Sequence, residues 1–249
     1  MLSALRYGDD PAETLDAYLP AQPQHAPVLF MVHGGAWRLG DKCAPAVFVN
    51  KVQRWVPQGV IVLSVNYPLL PQATPRQQAQ SLARALAFVQ RQAPRWGGDP
   101  ARLVLMGHSA GAHLIALLNA DASLAHQAGA QAWRGAVALD SAALDVPAIM
   151  QRPHPRFYDD AFGAQPADWR ALSPLHQQTA ATPPILLVCS SRRADACAQA
   201  HAYADAAHAL GARAQVLPQD LSHQEINAQL GLDNAYTRQV EAFLRDISR

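Results

Sequence analysis

Ser109 lies in Gly107-His108-Ser109-Ala110-Gly111, and its flanks give that pentapeptide chemical meaning. Leu103-Val-Leu-Met106 has strand character and runs straight into it, and Ala112, Leu114, Ile115, Leu117 and Leu118 follow in a helical pattern. A strand that turns sharply into a helix needs a residue without a side chain on each side of the apex, because a Cβ there would collide with the strand or the helix. Gly107 and Gly111 meet that requirement. The Ser109 hydroxyl then stands clear of the sheet edge, and the N–H of Ala110 at the helix start points where a developing oxyanion needs a donor. These are the demands of a serine nucleophile.

A serine hydroxyl at neutral pH needs a base to take its proton and a carboxylate to hold that base in the right tautomer. In a doubly wound sheet these partners come later in the chain, on loops at the carboxyl ends of later strands. The candidate base is His223, in Gln219-Asp-Leu-Ser-His-Gln-Glu-Ile226 after the last short strand. The candidate acid is Asp195, the sole carboxylate of the loop Cys189-Ser-Ser-Arg-Arg-Ala-Asp195. Asp195 is also a natural N-cap for a helix beginning at Ala196. Asp145 is the main rival, with Asp140 behind it. A second motif, His33-Gly34-Gly35-Ala36-Trp37, follows the apolar run Val28–Val32. Its glycine pair lets backbone N–H groups approach a bound oxygen, so Gly35 and Ala36 join Ala110 as candidate oxyanion donors. Trp37, at the pocket mouth, and His108, beside the nucleophile, are the candidate substrate contacts.

The elements that must position these residues follow from periodicity. Ala4–Tyr7 and Thr14–Leu19 alternate like an antiparallel pair at a sheet edge. Val28–Val32, Val60–Val65, Ala136–Leu139 and Pro184–Val188 read as strands buried on both faces, with Ala214–Leu217 the last strand. Helical patterns cover Val47–Trp55, Gln77–Gln92 behind Thr74-Pro75, Ala196–Leu210 and Ala235–Ile247. Gly97-Gly98-Asp99-Pro100 reads as a turn, with Asp99 capping a short element before the nucleophile strand. Residues 145–182 break the rhythm with five prolines and weak periodicity, as a lid or long excursion rather than a second domain. Alternation of strands and helices predicts a mainly parallel, doubly wound α/β sheet in one domain.

Composition narrows the function classes. Half of the 249 residues are hydrophobic, 16% are charged and the net charge is +1, which suits a well-buried core and argues against a nucleic-acid partner. No stretch approaches membrane-spanning length and no signal-like run opens the chain, so the expected compartment is the cytoplasm. Cys43, Cys189 and Cys197 have no metal-ligand spacing and read as ordinary thiols; a Cys189–Cys197 bridge is conceivable but disfavoured in a reducing compartment. No phosphate-binding, dinucleotide or His-Glu-x-x-His motif occurs, so neither a cofactor nor a metal is indicated.

The motifs at 33–37 and 107–111 together resemble the α/β-hydrolase superfamily, in its esterase branch near the hormone-sensitive-lipase group and the kynurenine formamidases (arylformamidases). Leu15-Asp-Ala-Tyr-Leu-Pro20 resembles that family's N-terminal strand, Val65-Asn-Tyr-Pro68 the segment after its next strand, and Ser222-His-Gln-Glu-Ile226 its histidine loop. The resemblance implies metal-free hydrolysis through an acyl-enzyme, with Ser109, Asp195 and His223 as the triad and Gly35, Ala36 and Ala110 as oxyanion donors. It implies a small-molecule partner, either a small carboxylic ester or an aryl formamide such as N-formylkynurenine, and is compatible with a homodimer. A reading from another class is a hydrolase fold without catalysis, used as a binding module. Two departures stand out. Ala36 replaces the third glycine of hormone-sensitive-lipase relatives, which shifts the match towards small esterases and formamidases. Cys-Ser-Ser-Arg-Arg replaces the family's Gly followed shortly by Asp after Val188, so the acid is read late, at Asp195.

Overall fold

Two successive side chains of a strand face opposite ways, so an apolar run of five to seven residues feeds two separate cores. The computed structural model, which describes residues 1–248, shows this arrangement in an eight-stranded sheet of order β1-β2-β4-β3-β5-β6-β7-β8. The strands are β1 (Leu2–Arg6), β2 (Thr14–Tyr18), β3 (Ala26–Val32), β4 (Ile61–Val65), β5 (Gly98–His108), β6 (Gly135–Leu139), β7 (Ile185–Ser190) and β8 (Ala214–Gln219). β1 and β2 form the expected antiparallel edge, and the pairings from β4 to β8 are all parallel.

On the first long connections lie α1 (Pro45–Trp55), α2 (Pro75–Gln92), α3 (Ala110–Ala120) and α4 (Ser123–Gln127). Residues 145–182 contain four short helices, α5 (Val146–Met150), α6 (Phe157–Phe162), α7 (Pro166–Ala171) and α8 (Pro174–Gln177). The chain then forms α9 (Ala194–Ala209), α10 (His223–Ala228) and α11 (Ala235–Ile247). One face of the sheet, with Val28, Phe30, Val32, Leu103 and Leu105, packs against α2, α3 and α9. The other, with Leu29, Met31, Val104 and Met106, packs against α1, α10 and α11. Fully burying each such side chain stabilises the fold by about 1.5–3 kcal/mol.

Of the turn expected at 97–100, Gly97 is turned, with φ 74°, but β5 already begins at Gly98, which pairs with Ala26. Asp99 caps no helix; its Oδ1 accepts the Ala101 N–H at 2.9 Å, a local Asx turn inside the strand's first residues. α10 begins at His223 because Ser222 and Glu225 form a capping box, each side chain meeting the other's backbone N–H. Among the described residues no helix is long and apolar enough to cross a membrane.

Candidate active site

Ser109 occupies the apex between β5 and α3 with φ 55° and ψ −119°, a conformation costing a non-glycine residue about 1–3 kcal/mol. Its neighbours make that apex sterically possible. A Cβ on Gly107 would lie 2.4 Å from the Gly111 carbonyl oxygen, and one on Gly111 would lie 2.4 Å from that of His33. The apex is anchored by the Ser109 N–H donating to Leu139 O at 2.9 Å and the His113 N–H donating to Ser109 O at 3.1 Å. The His33–Trp37 loop reaches the same point, since a Cβ on Gly34 would sit 2.8 Å from the Ser109 Cβ. Gly35 (φ 119°), Ala36 (φ 51°) and Trp37 (φ 58°) turn the loop left-handed in succession. Among the described residues the N–H groups of Gly35 and Ala36 donate to no backbone acceptor.

The carboxylate that meets His223 is Asp140, one residue beyond β6. Its Oδ2 lies 2.5 Å from His223 Nδ1, and the side chain is fully buried. Asp140 Oδ1 accepts the Ser190 N–H at 2.7 Å, and Oδ2 also accepts from Arg193 Nη1 at 2.7 Å. Burial works to raise the Asp140 pKa, but the His223 hydrogen bond, the Ser190 N–H and the Arg193 guanidinium outweigh it and hold the carboxyl below its ordinary value. A carboxylate oxygen and a ring nitrogen meet at 2.5 Å only with a proton between them, so Nδ1 donates to Asp140.

The expectation for Asp195 is therefore corrected. Its side chain is 62% exposed, contacts Arg193 Nη2 at 3.4 Å and accepts the Ala196 N–H at 2.9 Å; it does not meet His223. α9 starts at Ala194, so Asp195 is turned out along the first helical turn, and Arg193 occupies the place the acid was expected to fill. Asp145 is also elsewhere, accepting the Ala148 N–H at 3.1 Å as the N-cap of α5. The sequence held one signal for Asp140: a carboxylate directly ending an apolar strand, Gly135–Leu139.

His108 and Trp37 are both buried in packing around the site. His108 is buried, and its Nε2 donates to the His223 carbonyl at 2.9 Å with the two rings 4.5 Å apart. Burial, helped by the adjacent His223, pushes its pKa down to about 3, so the ring is neutral where it props His223. Trp37 is 3% exposed; its Nε1 donates to His113 Nδ1 at 3.1 Å, and it packs on Tyr158 and Phe162 of α6. Trp37 thus joins the excursion to the core. His113 Nε2 donates in turn to Leu172 O at 2.8 Å, and burial lowers its pKa to about 4.

Two further features brace the site. Lys51, buried and lowered by burial to about 7, donates from Nζ to Asn227 O at 2.7 Å and so ties α1 to α10. Cys189 and Cys197 form a disulfide rather than free thiols, because α9 begins so soon after β7 that their Cα atoms come within 5.1 Å. The bridge closes the loop that carries Ser190 and Arg193. A cavity of about 320 Å³ opens between the excursion and α9, lined by Asp145, Ile149, Arg152, His154, Tyr158 and Asp195; Ser109 and His223 are not in its wall. Among the described residues no group of three His, Cys, Asp or Glu is placed to hold a metal ion.

Known proteins share this framework. The probable isoprenylcysteine alpha-carbonyl methylesterase ICME of Oryza sativa subsp. japonica is 36% identical over 117 residues, 47% of this chain and 28% of that protein. Esterase LipC of Mycobacterium tuberculosis is 35% identical over 121 residues, 47% of this chain and 29% of that protein. The matches thus span less than a third of those relatives' length. Among solved structures, a truncated form of a carbohydrate esterase from gut microbiota superposes with a TM-score of 0.82 at 19% identity, covering 99% of this chain and 95% of that one. Esterase B from Lactobacillus rhamnosis superposes with a TM-score of 0.76 at 21% identity, covering 99% and 85%. The fold is the α/β-hydrolase fold that the motifs implied. The family model described as BD-FAE matches residues 15–192, from β2 to the loop after β7, and the chain belongs to the BD-FAE family.

Proposed function

We propose that the chain is a serine esterase that cleaves small carboxylic esters through an acyl-enzyme, with Ser109 as nucleophile, His223 as base and Asp140 as acid. The observation that carries this reading is the buried Asp140 carboxylate 2.5 Å from His223 Nδ1, at the carboxyl ends of the interior strands β5 and β6, where the strained Ser109 turn is anchored to Leu139. His223 Nε2 takes the Ser109 proton as Oγ bonds to the ester carbonyl. The oxyanion is held by the N–H groups of Gly35, Ala36 and Ala110, where losing one donor typically costs about 3–4 kcal/mol of barrier. His223 then returns its proton to the leaving alkoxide, the C–O bond breaks and the alcohol departs. Water repeats the sequence on the acyl-enzyme and frees the acid. Every proton and electron pair is handled by these side chains, so the reaction needs no cofactor.

Similarity to a methylesterase and an esterase favours an ester over an aryl formamide, which would use the same machinery. The test is hydrolysis of a graded series of p-nitrophenyl acyl esters, beside N-formylkynurenine, by the intact protein and by Ser109→Ala. Turnover of short esters that is lost in the variant supports the reading. Turnover of the formamide far above that of the esters replaces it with an arylformamidase. Failure of both, together with failure of a fluorophosphonate probe to label Ser109, turns the fold into a binding module.

A further inference from the structure

Arg193 sits where the acid was expected, and its guanidinium meets both members of the His223–Asp140 pair. Nη1 is 2.7 Å from Asp140 Oδ2 and 2.8 Å from His223 Nδ1, while Nη2 is 3.4 Å from Asp195. The Nδ1 hydrogen already lies towards Asp140, so the Arg193 hydrogen is directed to the same carboxylate oxygen and the two nitrogens approach as neighbouring donors. A fixed positive charge therefore faces the ring from the side on which a triad ordinarily presents only negative charge.

We propose that Arg193 is a positioning residue of this site that holds the Asp140 carboxylate in line with His223 and offsets its charge, so that His223 stays unprotonated, and the enzyme active, at lower pH than an uncompensated carboxylate would permit. The inference rests on the esterase reading for its kinetic consequence only.

The other charged and titratable groups around His223 leave this role to Arg193. From β5, His108 faces the ring as a neutral imidazole. From α9, Asp195 reaches the pair only through Arg193. On its own loop and helix, Asp220 and Glu225 are engaged by Arg192, and Glu225 by the Ser222 cap. From α1, Lys51 is turned to the far end of α10 at Asn227. From α11, Tyr236 donates to Ile226 O. Arg193 is only partly exposed, its side chain at 29%, and the loop is closed by the Cys189–Cys197 bridge, so the guanidinium is held in place.

The experiment compares kcat/KM for p-nitrophenyl acetate from pH 5 to 9 in the intact protein, Arg193→Met and Arg193→Lys. The acid limb of Arg193→Met is expected to move up by about one pH unit, so that its rate at pH 5.5 falls about tenfold further than at pH 8.5. Arg193→Lys restores most of the limb, and KM on the alkaline plateau changes less than about twofold. An unmoved limb in Arg193→Met overturns the proposal, as does a moved limb that Lys does not restore. Arg193→Gln replaces Met if that variant does not fold. The imidazole titration of His223 followed by NMR reads the same upward shift of its midpoint without any turnover. If the intact protein hydrolyses no ester, the esterase reading fails, and an NMR midpoint that moves or stays still decides the proposal separately.

Discussion

His223 Nδ1 and Asp140 Oδ2 are 2.5 Å apart, although 83 residues of chain separate them and Asp195 is far closer in sequence. Replacing Asp140 by Asn leaves the shape but offers His223 the wrong partner, so kcat for p-nitrophenyl acetate is expected to fall by about three to four orders of magnitude. Asp195→Asn, which alters an exposed ion pair, is expected to change it less than about twofold. The reverse ranking in steady-state assays would return the acid to α9.

Acid should unfold the protein through two buried histidines. His108 and His113 are lowered to about 3 and about 4, whereas in the unfolded chain they titrate near 6.5. Between those values the unfolded state binds the extra protons, so stability is full above about pH 6.5 and declines as pH falls towards 4. Calorimetric Tm measured from pH 8 to pH 4 should show that decline. His113→Leu should flatten it, while costing about 1–3 kcal/mol at pH 8 by leaving Trp37 Nε1–H and the Leu172 carbonyl unpaired.

The Ser109 turn tolerates no added methyl. Gly111→Ala drives a Cβ to within 2.4 Å of the His33 oxygen and 2.5 Å of the Val32 oxygen, both of them backbone atoms that cannot give way cheaply. A loss above about 3 kcal/mol, or failure to fold, is expected. Gly129→Ala is the comparison: its φ is 87° but nothing lies within 4 Å, so only about 1 kcal/mol is lost. Equal Tm changes for the two in thermal melts would contradict the close approach of α3 to β3.

The Cys189–Cys197 bridge closes a segment of sequence separation 8, for which loop-closure entropy corresponds to about 2–2.5 kcal/mol. Denaturant unfolding of the Cys189→Ser/Cys197→Ser double variant should show a midpoint lower by that stability at an unchanged m-value. An unchanged midpoint would mean the two thiols are not joined.

Much of this was legible in local pattern. The run Leu103–Met106, the flanking glycines and the apolar face of α3 identify the Ser109 turn because sterics act between neighbours. The His33–Trp37 loop follows from Val28–Val32 in the same way. His223 was legible by order along the chain, and its helix by the Ser222/Glu225 capping box. By itself, then, the sequence determined the α/β class, the strand-turn-helix at Ser109 and the loop that carries His223, since each depends on period-2 and period-3.6 burial and on contacts within a few residues. Tertiary structure alone decided which carboxylate faces His223, where Arg193 points, that Trp37 and His108 are buried supports, and that Cys189 meets Cys197. The reason is geometric. β6 lies directly beside β5, so its carboxyl end carries Asp140 into the site, while the early start of α9 turns Asp195 outward and leaves Arg193 facing in.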